Sequence, residues 1–284
     1  MNRTKELSSA QKWKRATLAD NFIFCKVMTA NPDLCKELLE MLLGIKIDRI
    51  EQPLAEHSLK TDYGSKGIRL DVYVKDGTGR CFDIEMQTTT RRDLARRARY
   101  YQGLMDIDGL DSGEYYGELK DSYIIFLCLD DPFDRGLPVY TFFTACEEDR
   151  TFSLDDGIHK IFYNAAKHAI MPSGELRSFF RFLSGSEDES ALSGRLAAMV
   201  EHAKTNGQWR QQFMTWEEEI RLREKEAFAA GAAEAFEEGA AQKAVETAKI
   251  LLGKHVLTEI IVEATGLSPE RVEQLQREAA AVES

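Results

Sequence analysis

The stretch Ile68 to Tyr101, IRLDVYVKDGTGRCFDIEMQTTTRRDLARRARYY, limits the possible folds more than any other part of this chain. It reads as two strands joined by a short glycine loop, followed by a helix that opens with arginines. Alternation places Leu70, Val72 and Val74 on one face of the first strand and Arg69, Asp71 and Tyr73 on the other. In the second strand Phe82, Ile84 and Met86 share a face, and Asp83, Glu85 and Gln87 share the opposite one. With Asp76-Gly77-Thr78-Gly79-Arg80 as the connection, Lys75 pairs with Cys81 and Asp71 falls opposite Glu85. Loops of this odd length, with glycine supplying a positive φ, follow two-residue turns in frequency.

Two carboxylates facing each other across a ladder repel. A divalent cation would compensate, because hard cations such as Mg²⁺ take carboxylate oxygens and complete their shell with water and phosphate. The same spacing also fits an exposed polar face on an ordinary antiparallel hairpin. Position and residue type alone leave both readings open.

Asp71 followed by Glu85-Met86-Gln87 resembles the D…(D/E)-x-K core of the PD-(D/E)XK nucleases, with Gln87 at the lysine position. More specifically, the chain is similar to the recombination-promoting nuclease (Rpn) family of PD-(D/E)XK nuclease family transposases. The resemblance is carried in order by DNFIFCKVM (20–28), NPDLCKELLEMLLGIKI (31–47), KGIRLDVYVKD (66–76), FDIEMQ (82–87), RRARYYQ (96–102), SYIIFLCLDDPF (122–133) and GLPVYTF (136–142). It implies an α/β, restriction-endonuclease-like core, with a mixed central sheet flanked by helices and an α-helical C-terminal extension. It also implies a metal-dependent DNA endonuclease, in which Asp71, Glu85 and the Met86 carbonyl hold Mg²⁺ or Mn²⁺. Gln87 and Asp20 join Asp71 and Glu85 as catalytic candidates. For Asp20 the other reading is a helix N-terminal acid facing the helix dipole. A catalytically silent nuclease-fold module that binds DNA or protein is the rival to the enzyme.

Net charge is −11, which argues against a generally basic nucleic-acid binder. The acidity is uneven, however: residues 1–120 carry 20 Lys/Arg against 19 Asp/Glu, and 121–284 carry 17 against 29. Arginines 91, 92, 96, 97 and 99 crowd into one stretch of the near-neutral half. On a helix over about 91–106, Leu94, Ala98, Tyr101 and Met105 form the packing stripe, while Arg92, Arg96 and Arg99 share another face. That face is either solvated or a phosphate-binding stripe. By the family pattern Arg97, Tyr101 and Gln102 also belong to a nucleic-acid-binding set.

Five scattered cysteines without C-x-x-C spacing read as small buried hydrophobes in a reducing compartment. No apolar run has membrane-helix length and no signal-peptide pattern opens the chain, so the expected location is cytoplasmic, with DNA and no membrane as partner. The expected organisation is a loose segment at 1–15, a nuclease-like core at 16–172 and a helical extension at 173–225. An Ala/Gly-rich repeat linker at 226–243, with EAFAAGAA followed by EAFEEGAA, leads into a helical hairpin at 244–284. Thr265-Gly266-Leu267-Ser268-Pro269 imitates the turn of a helix-turn-helix. Acids crowd its second helix, so homo-oligomerisation through these helices competes with base reading.

Overall fold

The computed structural model describes residues 7–60, 67–89, 92–188 and 190–282. Its chain divides into two compact units, Met1–Met214 and Thr215–Ser284. The first is a six-stranded mixed sheet flanked by helices, which is the α/β architecture expected from the sequence.

Three helices lead in: α1 (Ser9–Arg15), α2 (Asn21–Ala30) and α3 (Pro32–Leu43). The loose segment expected at 1–15 is therefore corrected over its described part. Ser8 and Gln11 form a reciprocal capping box on α1, and Trp13 buries its ring. Pro32 opens α3, and Gly44, at φ 65, closes it with a left-handed cap.

Strands β1 (Leu54–Leu59), β2 (Ile68–Lys75) and β3 (Cys81–Gln87) pair antiparallel in that order. Helix α4 (Leu94–Asp108) then crosses to β4 (Ser122–Cys128), which lies parallel to β3. Strands β5 (Val139–Phe142) and β6 (Ile158–Asn164) complete the order β1-β2-β3-β4-β6-β5. The unbroken apolar run in β4 is buried along its whole length, as a central strand covered on both faces requires. Strand β1 escapes the sequence pattern because LAEHSL has no β-branched residues and little alternation.

The β2–β3 connection has the predicted five residues, and Lys75 pairs with Cys81. Its conformation is fixed by the buried Asp76 carboxylate, which accepts hydrogen bonds from Thr78 N, Arg80 N and Arg80 Nε. Gly79 supplies φ 89. Strict alternation fails in β2, however: Leu70 and Tyr73 join the same core cluster beneath α4. In register this break sits at Asp71, opposite Glu56, whose backbone turns through φ 53.

Helices α5 (Gly174–Leu183) and α6 (Ala191–Thr205) belong to this first unit, as does the start of α7 (Gly207–Gly253). Phe213 of α7 packs against Trp13 and Phe22, with ring centroids 5.1 and 5.5 Å away, which ties α1 and α2 to the start of α7. In the second unit α8 (Thr258–Thr265) and α9 (Pro269–Val282) enclose a small core of Ala248, Ile261, Val272 and Leu275. The turn between them has Gly266 at φ 69. On α9, Arg271 pairs with Glu278 and Arg277 with Glu273, so its basic side chains are already matched within the helix. Among the described residues no helix is long and apolar enough to cross a membrane.

Candidate active site

Asp71 and Glu85 meet where the β2–β3 ladder ends. Paired positions run from Lys75↔Cys81 to Val72↔Ile84, and beyond that point side chains replace the backbone ladder. Glu85 Oε1 accepts from Asp71 N at 3.0 Å, and Asp71 Oδ2 accepts from Met86 N at 3.0 Å. Each carboxylate thus caps the strand that carries the other. An exposed polar face is excluded here: Asp83, Glu85 and Gln87 are all buried, because α4 lies over that side of β3.

Arg97 of α4 is the cation inside the cluster. Its Nη2 lies 2.5 Å from Glu85 Oε2, and its Nη1 donates to Gln87 Oε1 at 3.0 Å. The guanidinium also sits over two rings, 5.2 Å from the centroid of Tyr101 and 5.3 Å from that of Phe126. Arg97 therefore belongs to the carboxylate cluster, whereas Arg92, Arg96 and Arg99 are exposed on the surface. Arg91 lies outside the described residues.

Two expected nucleic-acid contacts are corrected by burial. Tyr101 lies beneath Arg97, and Gln102 donates to Asp106 Oδ1 at 3.0 Å and to the Ser122 hydroxyl. Both hold α4 on the sheet and neither faces solvent. Asp20 also differs from expectation. Its carboxylate turns back onto the preceding loop and accepts from Thr17 N at 2.6 Å.

The α2 residue that reaches the site is Asn21, whose side chain hydrogen-bonds the Asp71 carboxylate. Cys25, one turn on, donates its thiol to Asn21 Oδ1 at 3.2 Å and to the Asp71 carbonyl at 3.1 Å. Asn21 and Cys25 stand at i and i+4 on one face of α2, which was the available signal for this contact. If Asp71 is a ligand to a divalent ion, replacing Asn21 with alanine is expected to weaken metal binding by about 10–100-fold, as loss of a partner that orients a ligand does. Asp20→Ala should cost only about 1 kcal/mol of local stability, the loss of its hydrogen bond from Thr17 N. Parallel metal-binding and melting measurements on the two variants separate these roles.

Asp83 is the other residue whose part the sequence did not reveal. It is fully buried, and neither carboxylate oxygen has a hydrogen-bond donor. Its neighbour Glu85 can share a hydrogen bond with it only when one of the two holds a proton. Burial, followed by the charges of Glu85 and Asp71, pushes Asp83 well above the usual carboxylate range. Burial and Asp71 push Glu85 up to about 8, against the opposing pull of Arg97 and the Asp71 N–H. Asp71 is also raised by burial, opposed by hydrogen bonds from Asn21 and Met86 N and by the charge of Arg97.

These upward shifts fix a sign. An acid that binds its proton more tightly folded than unfolded favours the folded state below its unfolded pKa. That contribution is lost as pH rises through the folded value. Without divalent ions, melting temperature should fall between about pH 5 and pH 8 as Glu85 ionises. Mg²⁺ or Mn²⁺ should flatten the fall. A flat or rising metal-free profile over that range would contradict the clustered charges.

Three carboxylates against one guanidinium leave the cluster short of positive charge, and its donors are hard oxygens. In both respects the residues fit a divalent cation. Among the described residues no group of three or more His, Cys, Asp or Glu side chains is arranged to hold a metal. A cation held by Asp71 and Glu85 would therefore draw its remaining ligands from a carbonyl such as that of Met86, from water and from phosphate.

Residues 21–192 match the PD-(D/E)XK nuclease family transposase, a span that includes the hairpin, α4 and the whole sheet. The chain belongs to that family. No curated protein and no solved structure matches it.

Proposed function

We propose that this chain is a metal-dependent DNA endonuclease that hydrolyses phosphodiester bonds, with its site at the splayed end of β2 and β3. The observation that carries this reading is the Asp71–Glu85–Arg97 cluster, with Glu85 buried at its centre, which lies inside the span matched by the family. Asp71 and Glu85 would hold Mg²⁺ or Mn²⁺. Such an ion, when bound, polarises a phosphate oxygen and makes a bound water acidic enough to supply hydroxide near neutral pH.

The chain's own residues do the rest. Met86 N fixes the Asp71 carboxylate, Asp71 N fixes Glu85, and Asn21 clamps Asp71 from α2. Gln87 cannot supply the charge of a lysine, so Arg97 brings that charge from α4 and rests on the Gln87 amide. The exposed Arg92, Arg96 and Arg99 lie on or just before the same helix and suit the phosphates of a DNA backbone.

Titration of Mn²⁺ into the protein tests the reading. The wild type should bind it and Asp71→Asn should not. For the arginine face, each change of Arg92, Arg96 or Arg99 to glutamine should weaken DNA binding irrespective of sequence. Each should also reduce the slope of log affinity against log salt by about 0.9. Unchanged slopes in the triple variant would remove that face from the DNA interface. A reading in which the fold binds DNA without cutting it is favoured by one observation: both Glu85 oxygens are already occupied by protein donors. Metal binding without hydrolysis is the result that would support it.

A further inference from the structure

We propose that Arg97 and the divalent cation are alternative partners of Glu85, and that Arg97 swings between Glu85 and substrate phosphate while pivoting on Gln87. The inference rests on the nuclease reading of the site. Three observations lead to it.

The first is the occupancy of the carboxylates. Glu85 Oε1 takes the Asp71 N–H, Glu85 Oε2 takes Arg97 Nη2 at 2.5 Å, and Asp71 Oδ2 takes the Met86 N–H. A divalent ion ligated by Glu85 Oε2 at about 2.1 Å would share that oxygen with a guanidinium already in close contact. Two cations on one oxygen of a buried carboxylate repel strongly, so one must withdraw. The backbone N–H groups are fixed by the strands, whereas Arg97 stands on a side chain.

The second is how Arg97 is held apart from Glu85. Its Nη1 donates to Gln87 Oε1 at 3.0 Å, and its plane lies over the Tyr101 and Phe126 rings. Those supports remain when the Glu85 contact is released. Nε is buried and has no acceptor, which leaves a donor facing no partner. Freed from Glu85, Nε and Nη2 form a two-pronged donor edge of the shape that suits a phosphate oxygen pair.

The third is the identity of residue 87. A neutral amide oxygen accepts from Arg97 in either position. A lysine there would remove the acceptor and set a second positive charge against the guanidinium. Glutamine at the motif's lysine position is thus the partner of a charge that arrives from α4 and can leave.

The test is calorimetric Mn²⁺ titration of wild type, Arg97→Gln and Arg97→Lys at low ionic strength, joined to nitrogen-15 observation of the Arg97 Nε–H in wild type during Mg²⁺ titration. Removing the competing charge should tighten Mn²⁺ binding by about tenfold in Arg97→Gln, while DNA cleavage falls. Arg97→Lys should bind Mn²⁺ like wild type. The Arg97 Nε–H signal should shift in step with Mg²⁺ binding, a readout that needs no variant to fold. Weaker Mn²⁺ binding in Arg97→Gln, or an Nε–H signal unmoved while Mg²⁺ binds, would mean that Arg97 merely braces Glu85. The exchange would then be refuted with the nuclease reading intact. Absence of Mn²⁺ binding in both wild type and Arg97→Gln would overturn the exchange and the nuclease reading together.

Discussion

Arg97→Leu is expected to lower the stability of the chain by about 3–5 kcal/mol near pH 8, the cost of stripping one partner from a buried ion pair. Leucine fills much of the volume between Tyr101 and Phe126, so the loss is mainly electrostatic. Asp71, Asp83 and Glu85 would then face one another with their central cation gone. With about 2–4 °C of melting temperature per kcal/mol for a domain of this size, the shift should be on the order of 10 °C. The deficit should shrink near pH 5, because protonated carboxylates need no counter-charge. Arg96→Leu, one residue away but exposed, should change stability by no more than about 0.5 kcal/mol. Urea or thermal melts of both variants at the two pH values measure the contrast. Equal effects at positions 96 and 97 would show that the ion pair contributes little.

On the proposed reading, Glu85→Gln should reduce metal-dependent DNA cleavage by about 10³-fold or more, since it would remove a charged ligand from the ion that would stabilise the transition state. The amide keeps the size of glutamate, and its oxygen can still accept from Asp71 N. Its NH₂ group, however, would meet Arg97 Nη2 as donor against donor. Mn²⁺ affinity should therefore fall with the rate. Asp71→Asn is the companion variant, because asparagine retains the acceptor for Met86 N and lacks the charge. If either protein cut at the wild-type rate while bound metal was undiminished, the two carboxylates would not be the ligands.

Much of this was legible in the chain itself. The odd hairpin loop gave the register that brings Asp71 to Glu85, and the apolar run of β4 marked a strand covered on both faces. The stripe Leu94, Ala98, Tyr101 and Met105 identified the buried side of α4. Tertiary context decided what stayed hidden. Asp83 looks like one more polar alternate in a half-exposed strand until α4 closes over it. Arg97 and Arg96 are adjacent letters in a basic run, yet the rotation of about 100° between successive helix residues separates the cation in the cluster from a surface one. Asp20 drew attention as an acid at a helix start, whereas the site is reached by the neutral amide beside it. A helix-dipole or motif argument sees charge. The contact with Asp71 depends on which residue of the first turn of α2 faces the sheet.

The most direct measurement is incubation of supercoiled plasmid with the wild-type chain at low salt, in Mn²⁺, in Mg²⁺ and in EDTA. Nicked or linear product that forms with a divalent ion and is absent in EDTA is the predicted result. Intact plasmid under every metal, from protein that binds Mn²⁺ and melts cooperatively, would contradict the endonuclease and leave a fold of this family that binds without cutting.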